Sequence, residues 1–102
     1  MNIFGRYGGL TLIRRAGEYI VMRWPSQDVE LVMVDVGEKS ASVRVGHETF
    51  DMNIGESIEV PGPDDDRPAN CIITLDDIAA ERAAIRIVAP RRVSIIRGEK
   101  LQ

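Results

Sequence analysis

Arginine is the residue type in this sequence that offers the clearest chemistry. The pairs Arg14-Arg15 and Arg91-Arg92, and the single Arg97, lie in apolar segments near the two ends of the chain. A guanidinium carries five N–H donors in a planar fork, which binds phosphate or guanine acceptors in a bidentate way that lysine cannot reproduce. The two ends of the chain are therefore the candidate anion-binding segments.

Formal charge is distributed unevenly along the 102 residues. Residues 1–23 hold four basic residues against one acid, a balance of +3, and residues 82–102 hold six against one, a balance of +5. Residues 24–81 hold three basic residues against fourteen acids, a balance of −11, so the whole chain carries only −3. Such asymmetry indicates a partner better than the total does. If the ends meet in space, they form one electropositive surface on an acidic body.

Catalysis and metal binding find little support in the sequence. His47 is the only histidine and Cys71 the only cysteine, and a nucleophile needs a base within hydrogen-bond reach. Cys71 opens a predicted strand, where we expect a small buried hydrophobe, and His47 is expected in a turn. The consecutive carboxylates 64–66 lack the alternate spacing of a calcium loop, so they predict a solvated acidic loop. We expect no enzyme, no metal site and no cofactor.

Alternating apolar residues predict an all-β fold in a single domain, with small antiparallel sheets arranged as a barrel-like sandwich. Eight or nine short strands are expected, separated by turns and by an acidic, proline-rich loop at 61–70. Helix formers at 76–87 also fit a helix, but the β-like residues on both sides favour a tight turn near 80–82. No apolar run approaches 18 residues, and a single cysteine fits a reducing compartment. A cytoplasmic protein without a membrane segment is expected.

An internal echo suggests two degenerate repeats. GEYIVM at 17–22 is matched by GESIEV at 55–60, and each segment leads through a polar linker into two further strand-like segments. The period is near 38 residues. We expect the first repeat at about 10–53 and the second at about 54–100.

Two segments resemble the carbon storage regulator (CsrA/RsmA) family. LTLIRRAGEYIVM at 10–22 is similar to the opening of that family, where the first strand ends in paired arginines, a small residue and Gly-Glu. CIITLDDIAAERAAIRIVAPRRVSIIRGE at 71–99 is similar to the remainder, including Ala-Pro and then Val-Ser-apolar-x-Arg-x-Glu. The two matches cover about 40 of the 102 residues.

The resemblance implies a post-transcriptional regulator that binds RNA. Members of the family are interlocked homodimers, in which the first strand of one subunit lies beside the last strand of its partner. Together these strands recognise a GGA core in single-stranded or hairpin-loop regions of mRNA leaders and thereby modulate translation. The positions of this sequence that correspond to the RNA site are Leu12, Ile13, Arg14, Arg15, Ala89, Pro90, Arg91, Val93, Ile95 and Arg97.

The same resemblance leaves the assembly and one alternative function open. The first-strand motif opens the chain and the last-strand motif closes it, which favours a monomeric pseudo-dimer, although a conventional homodimer also fits. The first strand of the second repeat would be ETFDMN at 48–53, which has no counterpart of Arg14-Arg15. One RNA site is therefore expected to be intact and the other lost. The alternative is a degenerate relative that binds such regulators, or their protein antagonist, without binding RNA.

Overall fold

The computed structural model describes residues 9–62 and 70–98. Most of the expected acidic loop, including its carboxylates at 64–66, lies outside the described residues. Within the described residues the chain forms nine antiparallel strands, and no helix is long and apolar enough to cross a membrane. The strands are β1 (Leu10–Arg14), β2 (Tyr19–Arg23), β3 (Asp28–Val36), β4 (Ser40–Val45), β5 (Glu48–Asn53), β6 (Ser57–Val60), β7 (Cys71–Ala79), β8 (Arg82–Val88) and β9 (Ser94–Gly98).

The strands form two antiparallel sheets, which confirms the all-β prediction. One sheet has four strands in the order β1-β8-β7-β6, and the other has five in the order β5-β4-β3-β2-β9. The expected barrel-like closure is wrong, because each sheet ends in two edge strands instead of closing on itself. Alternation that buries one face of each strand is satisfied equally well by two facing sheets.

The core consists of the branched and long apolar side chains on the inner faces of both sheets. In β4 the inner positions are Ala41, Val43 and Val45, and in β8 they are Ala83, Ile85 and Ile87. Burying each of the larger of these side chains contributes about 1.5–3 kcal/mol. Strands β2, β3, β5, β6 and β7 contribute the other buried apolar side chains of the core: Ile20, Met22, Leu31, Met33, Met52, Val60, Cys71, Ile73 and Leu75. Trp24 and Val93 join the core from connecting segments.

The segment that could have been a helix is a hairpin instead. Strands β7 and β8 are joined at Ala80-Glu81, whose φ angles are +53° and +63°. Two successive left-handed residues match the right-handed twist of the flanking strands, which is why such turns close two-residue hairpins. The predicted tight turn near Ala80–Arg82 is confirmed, although neither residue at its tip is a glycine.

Two glycine turns, one in each sheet, have the same hydrogen-bonding geometry. Gly17 has a φ of +91° and donates its N–H to the carbonyl of Met33 at 2.7 Å. Gly55 has a φ of +95° and donates to the carbonyl of Leu75, also at 2.7 Å. A left-handed backbone at both positions explains why each is glycine.

Strand registers also correspond between the sheets. In β3 and β4, Leu31 lies opposite Val45, and the register shifts after Met33. In β7 and β8, Ile73 lies opposite Ile87, and the register shifts after Leu75. The orders of the two sheets therefore match strand for strand, with β1, β8, β7 and β6 in the places of β5, β4, β3 and β2. Strand β9, which pairs with β2, has no equivalent beside β6 in the described residues.

Candidate nucleic-acid interface

The two segments expected to build the RNA site are edge strands of different sheets. Strand β1 pairs with β8, and β9 pairs with β2. Each pairs through one of its two edges with a strand of its own sheet, and the described residues show no strand pairing between β1 and β9. They meet instead at their C-terminal ends, where Arg14 contacts Gly98. We call the region between these edge strands the β1/β9 margin.

Arg14 makes the contact that joins the two ends of the chain. Its Nη1 donates to the carbonyl of Gly98 at 2.9 Å, and its Nε donates to the carbonyl of Ile13 at 2.7 Å. Nε also lies 3.9 Å from Oε1 of Glu18. Arg14 is only 5% exposed because it lies on the inner face opposite the small Ala83. Arg14 is therefore buried next to the margin, where it positions the end of β9, and its expected contact with RNA stays a prediction.

Gly98 lets β9 approach β2 closely. It pairs with Tyr19, and a side chain added at Gly98 would fall inside the Tyr19 ring. The ring thus covers the last residue of β9 on one side, while Arg14 holds its carbonyl on the other. The end of β9 is fixed by these two contacts. Neither contact was predictable from the sequence, since both join residues that are far apart in the chain.

Main-chain groups of β9 point into the β1/β9 margin. The N–H of Met33 donates to the carbonyl of Glu18 at 2.9 Å. In an antiparallel ladder, residues alternate between facing one neighbour and facing the other, so Tyr19 directs its main-chain groups to β9 and not to β3. The paired residues Gly98 and Ile96 face back to β2. Ser94 does the same, so the main-chain N–H and C=O of the two intervening residues, Ile95 and Arg97, are directed to the margin.

Side chains on the inner face of β9 line the same margin. Ile95 lies opposite Met22 and Arg97 opposite Ile20, and both of those partners are fully buried. Residues directly opposite each other share a face, so Ile95 and Arg97 are on the core side of the sheet. At the sheet edge, Ile95 is half-buried and Arg97 is exposed. On β1, Leu12 is half-buried on the corresponding inner face.

The turn at 89–93 closes the other end of the margin. It leads from β8 to β9 and is held by a hydrogen bond from the N–H of Val93 to the carbonyl of Pro90 at 3.0 Å. Ala89 and Pro90 are half-buried, whereas Arg91 and the neighbouring Arg92 are exposed. The β1/β9 margin thus has exposed guanidinium groups at both ends. The four steps from Ser94 to Gly98 separate these ends by about 13 Å.

Three of the expected site residues are not on this surface. Val93 is 7% exposed and belongs to the core, so it supports the turn instead of offering a contact. Ile13 is 50% exposed on the outer face of β1, opposite Ala84. Arg15 is also exposed but lines a shallow hollow with Asp35 and Glu81, where acidic neighbours surround it. The strands and the turn that border the margin carry Leu12, Ala89, Pro90, Arg91, Ile95 and Arg97, and Arg14 is buried where β1 and β9 end.

Other titratable groups are engaged in structural contacts. Arg86 pairs with Asp76, with Nε 2.9 Å from Oδ2, and this carboxylate raises the pKa of Arg86. Cys71 is fully buried in β7, as expected for a small hydrophobe, and burial raises the pKa of its thiol to about 11. His47 is exposed in the turn between β4 and β5, also as expected.

Comparison of the chain with protein-family models, with curated proteins and with solved structures yields no match. Evidence for a function therefore comes from the residues and geometry of the chain itself.

Proposed function

We propose that this chain is a cytoplasmic RNA-binding regulator of the carbon storage regulator type, which recognises GGA-type motifs in mRNA leaders and modulates translation. The observation that carries the proposal is the orientation of β9. Its residues Ile95 and Arg97 direct main-chain groups into the β1/β9 margin, and exposed arginines stand at both ends of that margin.

This arrangement suits single-stranded bases. Unstacked loop bases expose their pairing edges, and a strand edge offers alternating N–H donors and C=O acceptors that can match them. The Arg97 guanidinium can fork onto guanine acceptors or a phosphate. Arg91 and Arg92, in the turn before β9, supply attraction to the backbone rather than base reading.

We further propose two degenerate repeats, at about 10–53 and 54–100, that fold together as a monomeric pseudo-dimer. Matched glycine turns, matched registers and matched strand orders support it. At the second margin, between β5 and β6, Met52 occupies the place of Arg14, and no described strand occupies the place of β9. One RNA site per chain is the expected stoichiometry.

A hairpin titration tests the proposal. A short RNA hairpin with GGA in its loop is titrated at several salt concentrations, beside a hairpin in which GGA is replaced by CCU. With three or four phosphate contacts, the log–log slope of affinity against salt should be roughly −2 to −3. Arg97→Ala should weaken binding by on the order of 1–3 kcal/mol, whereas Arg44→Ala, an exposed arginine on β4, should leave it unchanged.

Two outcomes would contradict the proposal. Equal affinity for the GGA and CCU hairpins would show that the chain does not recognise the sequence. Equal effects of the two arginine variants would show that RNA does not bind at the β1/β9 margin. A chain that binds neither hairpin would instead support a protein-interaction modulator. The burial of Arg14 favours that alternative, since it takes one cation off the surface.

A further inference from the structure

We propose that the edge of β6 facing away from β7 is a docking site for an extended, basic segment of a partner protein, which adds to the four-stranded sheet as a fifth strand. This proposal does not depend on RNA binding. It rests on a comparison of two strand edges, one paired with a further strand and one with no further strand among residues 9–62 and 70–98.

The covered edge is that of β2, and the uncovered edge is that of β6. Ile20 of β2 lies opposite Leu31, and Ile58 of β6 lies opposite Ile73. Each strand follows a glycine turn of the same geometry. On β2 the other edge pairs with β9, whereas β6 is the last strand of its sheet in the described part of the chain. The two edges thus share the preceding turn and the strand register, but among the described residues only the β2 edge is paired with a further strand.

Main-chain groups available on β6 follow from one hydrogen bond. The N–H of Leu75 donates to the carbonyl of Glu56 at 3.1 Å. Alternation along an antiparallel ladder then directs the main-chain groups of Ile58 to β7, and those of Ser57 and Glu59 away from it. Pro61 follows the strand and has no N–H. The edge therefore offers two residues, each with one donor and one acceptor, and this is a short docking site.

Ile20 and Ile58 occupy equivalent inner positions of β2 and β6, and the one without a strand beside it is the more exposed. Ile20, beside β9, is fully buried. Ile58, at the equivalent position, is only half-buried although it packs against the same core. An added strand would cover Ile58 as β9 covers Ile20, and removal of apolar surface from water would stabilise the complex. The occupant must therefore be able to form a β-strand with apolar side chains on one face.

Charge decides which strand fits. Glu56 and Glu59 are exposed on and next to β6, and Glu48 and Asp51 are exposed on the neighbouring edge strand β5. Two copies of β6 paired with each other would bring these acids close together, which is unfavourable. A strand that carries arginine or lysine complements them. Strand β9, which carries Arg97 opposite Ile20, is the strand that occupies the covered edge.

A peptide with the sequence of residues 91–98, RRVSIIRG, acetylated and amidated, is the probe. It is titrated into the full chain labelled with ¹⁵N, beside EEVSIIEG as the charge-reversed control. We expect shifts of the Ser57 and Glu59 amides with an affinity on the order of 100 µM, since few hydrogen bonds form. The control peptide should bind at least tenfold more weakly, and added salt should weaken RRVSIIRG.

Two variants separate the main-chain edge from the charge. Glu59→Pro removes an outward N–H without removing a bond to β7, as edge strands tolerate, and should lower affinity on the order of tenfold beyond the effect of Glu59→Gln. Glu59→Gln keeps the N–H and can still accept from Asn70, which donates to Oε2 of Glu59 at 2.6 Å. Unshifted strand amides elsewhere in the sheet would show that both variants fold.

Several results would overturn the proposal. They are equal binding of both peptides, equal affinity of the Pro and Gln variants, and peptide-induced shifts confined to the β1/β9 margin. Concentration-dependent shifts of the β6 amides without peptide would assign the edge to a second copy of the chain instead.

Discussion

Arg14→Ala should destabilise the protein chiefly by loosening the end of β9. Arg14 is 5% exposed, and its guanidinium donates to the carbonyls of Ile13 and Gly98. A hydrogen bond from a charged donor contributes about 1.5–3 kcal/mol, and truncation also leaves a cavity in the space of the buried stem. The expected loss in free energy of unfolding is therefore about 3 kcal/mol, out of the 5–15 kcal/mol typical of a domain.

Arg14→Met is the matched comparison. Met52 already occupies the equivalent position beside β4 and is 1% exposed, so the fold accepts methionine there. The substitution keeps most of the buried volume and loses the polar contacts of the guanidinium, among them the bonds to the two carbonyls and the approach to Glu18. Because it also removes the desolvation cost of a buried charge, its expected cost is about 1–1.5 kcal/mol, no more than half that of Arg14→Ala. The difference between the two variants measures the packing of the stem, and the remaining loss measures the bonds.

Urea denaturation followed by tryptophan fluorescence measures both variants. Trp24 is the only tryptophan and is 1% exposed, so its emission reports unfolding of the core. Hydrogen exchange at the amides of Ile96 and Gly98, which face β2, should accelerate more than exchange in β4. Equal costs below about 1 kcal/mol for both variants, or uniform acceleration of exchange through both sheets, would refute the assigned role of Arg14.

Further outcomes are expected at Gly98, at the β7–β8 turn and at Cys71. Gly98→Ala should cost about 1–3 kcal/mol in urea denaturation, because the new side chain overlaps the Tyr19 ring, and Tyr19→Ala in the same chain should restore much of the loss. Ala80→Asn with Glu81→Gly should stabilise the protein by about 1–2 kcal/mol, because both residues have a positive φ; an unchanged urea midpoint would contradict this. Cys71 should react with a thiol reagent at pH 8 only as fast as the chain unfolds, because burial raises its pKa from 9.0 to about 11. Since the unfolded thiol ionises first, stability should fall as pH rises from about 9 to about 11, and Cys71→Ala should remove that part of the pH dependence.

Alternation in the sequence predicted most of the strands, because burial of one face is a local property. VELVMVDV, ASVRV and AIRIV lie within β3, β4 and β8. The β7–β8 turn was predictable from its β-like flanks, although Ala80 and Glu81 are not typical of its geometry. Alternation does not say which strand pairs with which, so it left the sheet assignment of β9 open and suggested a closure that the two sheets do not have.

The candidate site was predictable as a set of segments but not as a surface. Arg14 and Arg15 look equivalent in sequence, and an extended chain sends them to opposite faces. Only the fold shows that Arg14 meets the Gly98 carbonyl in the interior and that Arg15 lies near Asp35 and Glu81. Both outcomes depend on contacts between residues distant in sequence. The distribution of charge along the sequence cannot distinguish a buried arginine with a structural role from an arginine exposed at the surface.

The difference between Arg14 and Met52 links the charge asymmetry of the chain to its architecture. A buried guanidinium is costly unless its donors are satisfied, and Arg14 is satisfied where β9 brings a carbonyl to the end of β1. At the equivalent position no described strand supplies such a carbonyl, and the residue is apolar. A buried arginine there would be unfavourable for the same reason that Arg14 is favourable. The basic end and the fifth strand therefore depend on each other: substitutions that detach β9 should leave Arg14 buried without its acceptor, so the two should be strongly coupled in a double-mutant cycle.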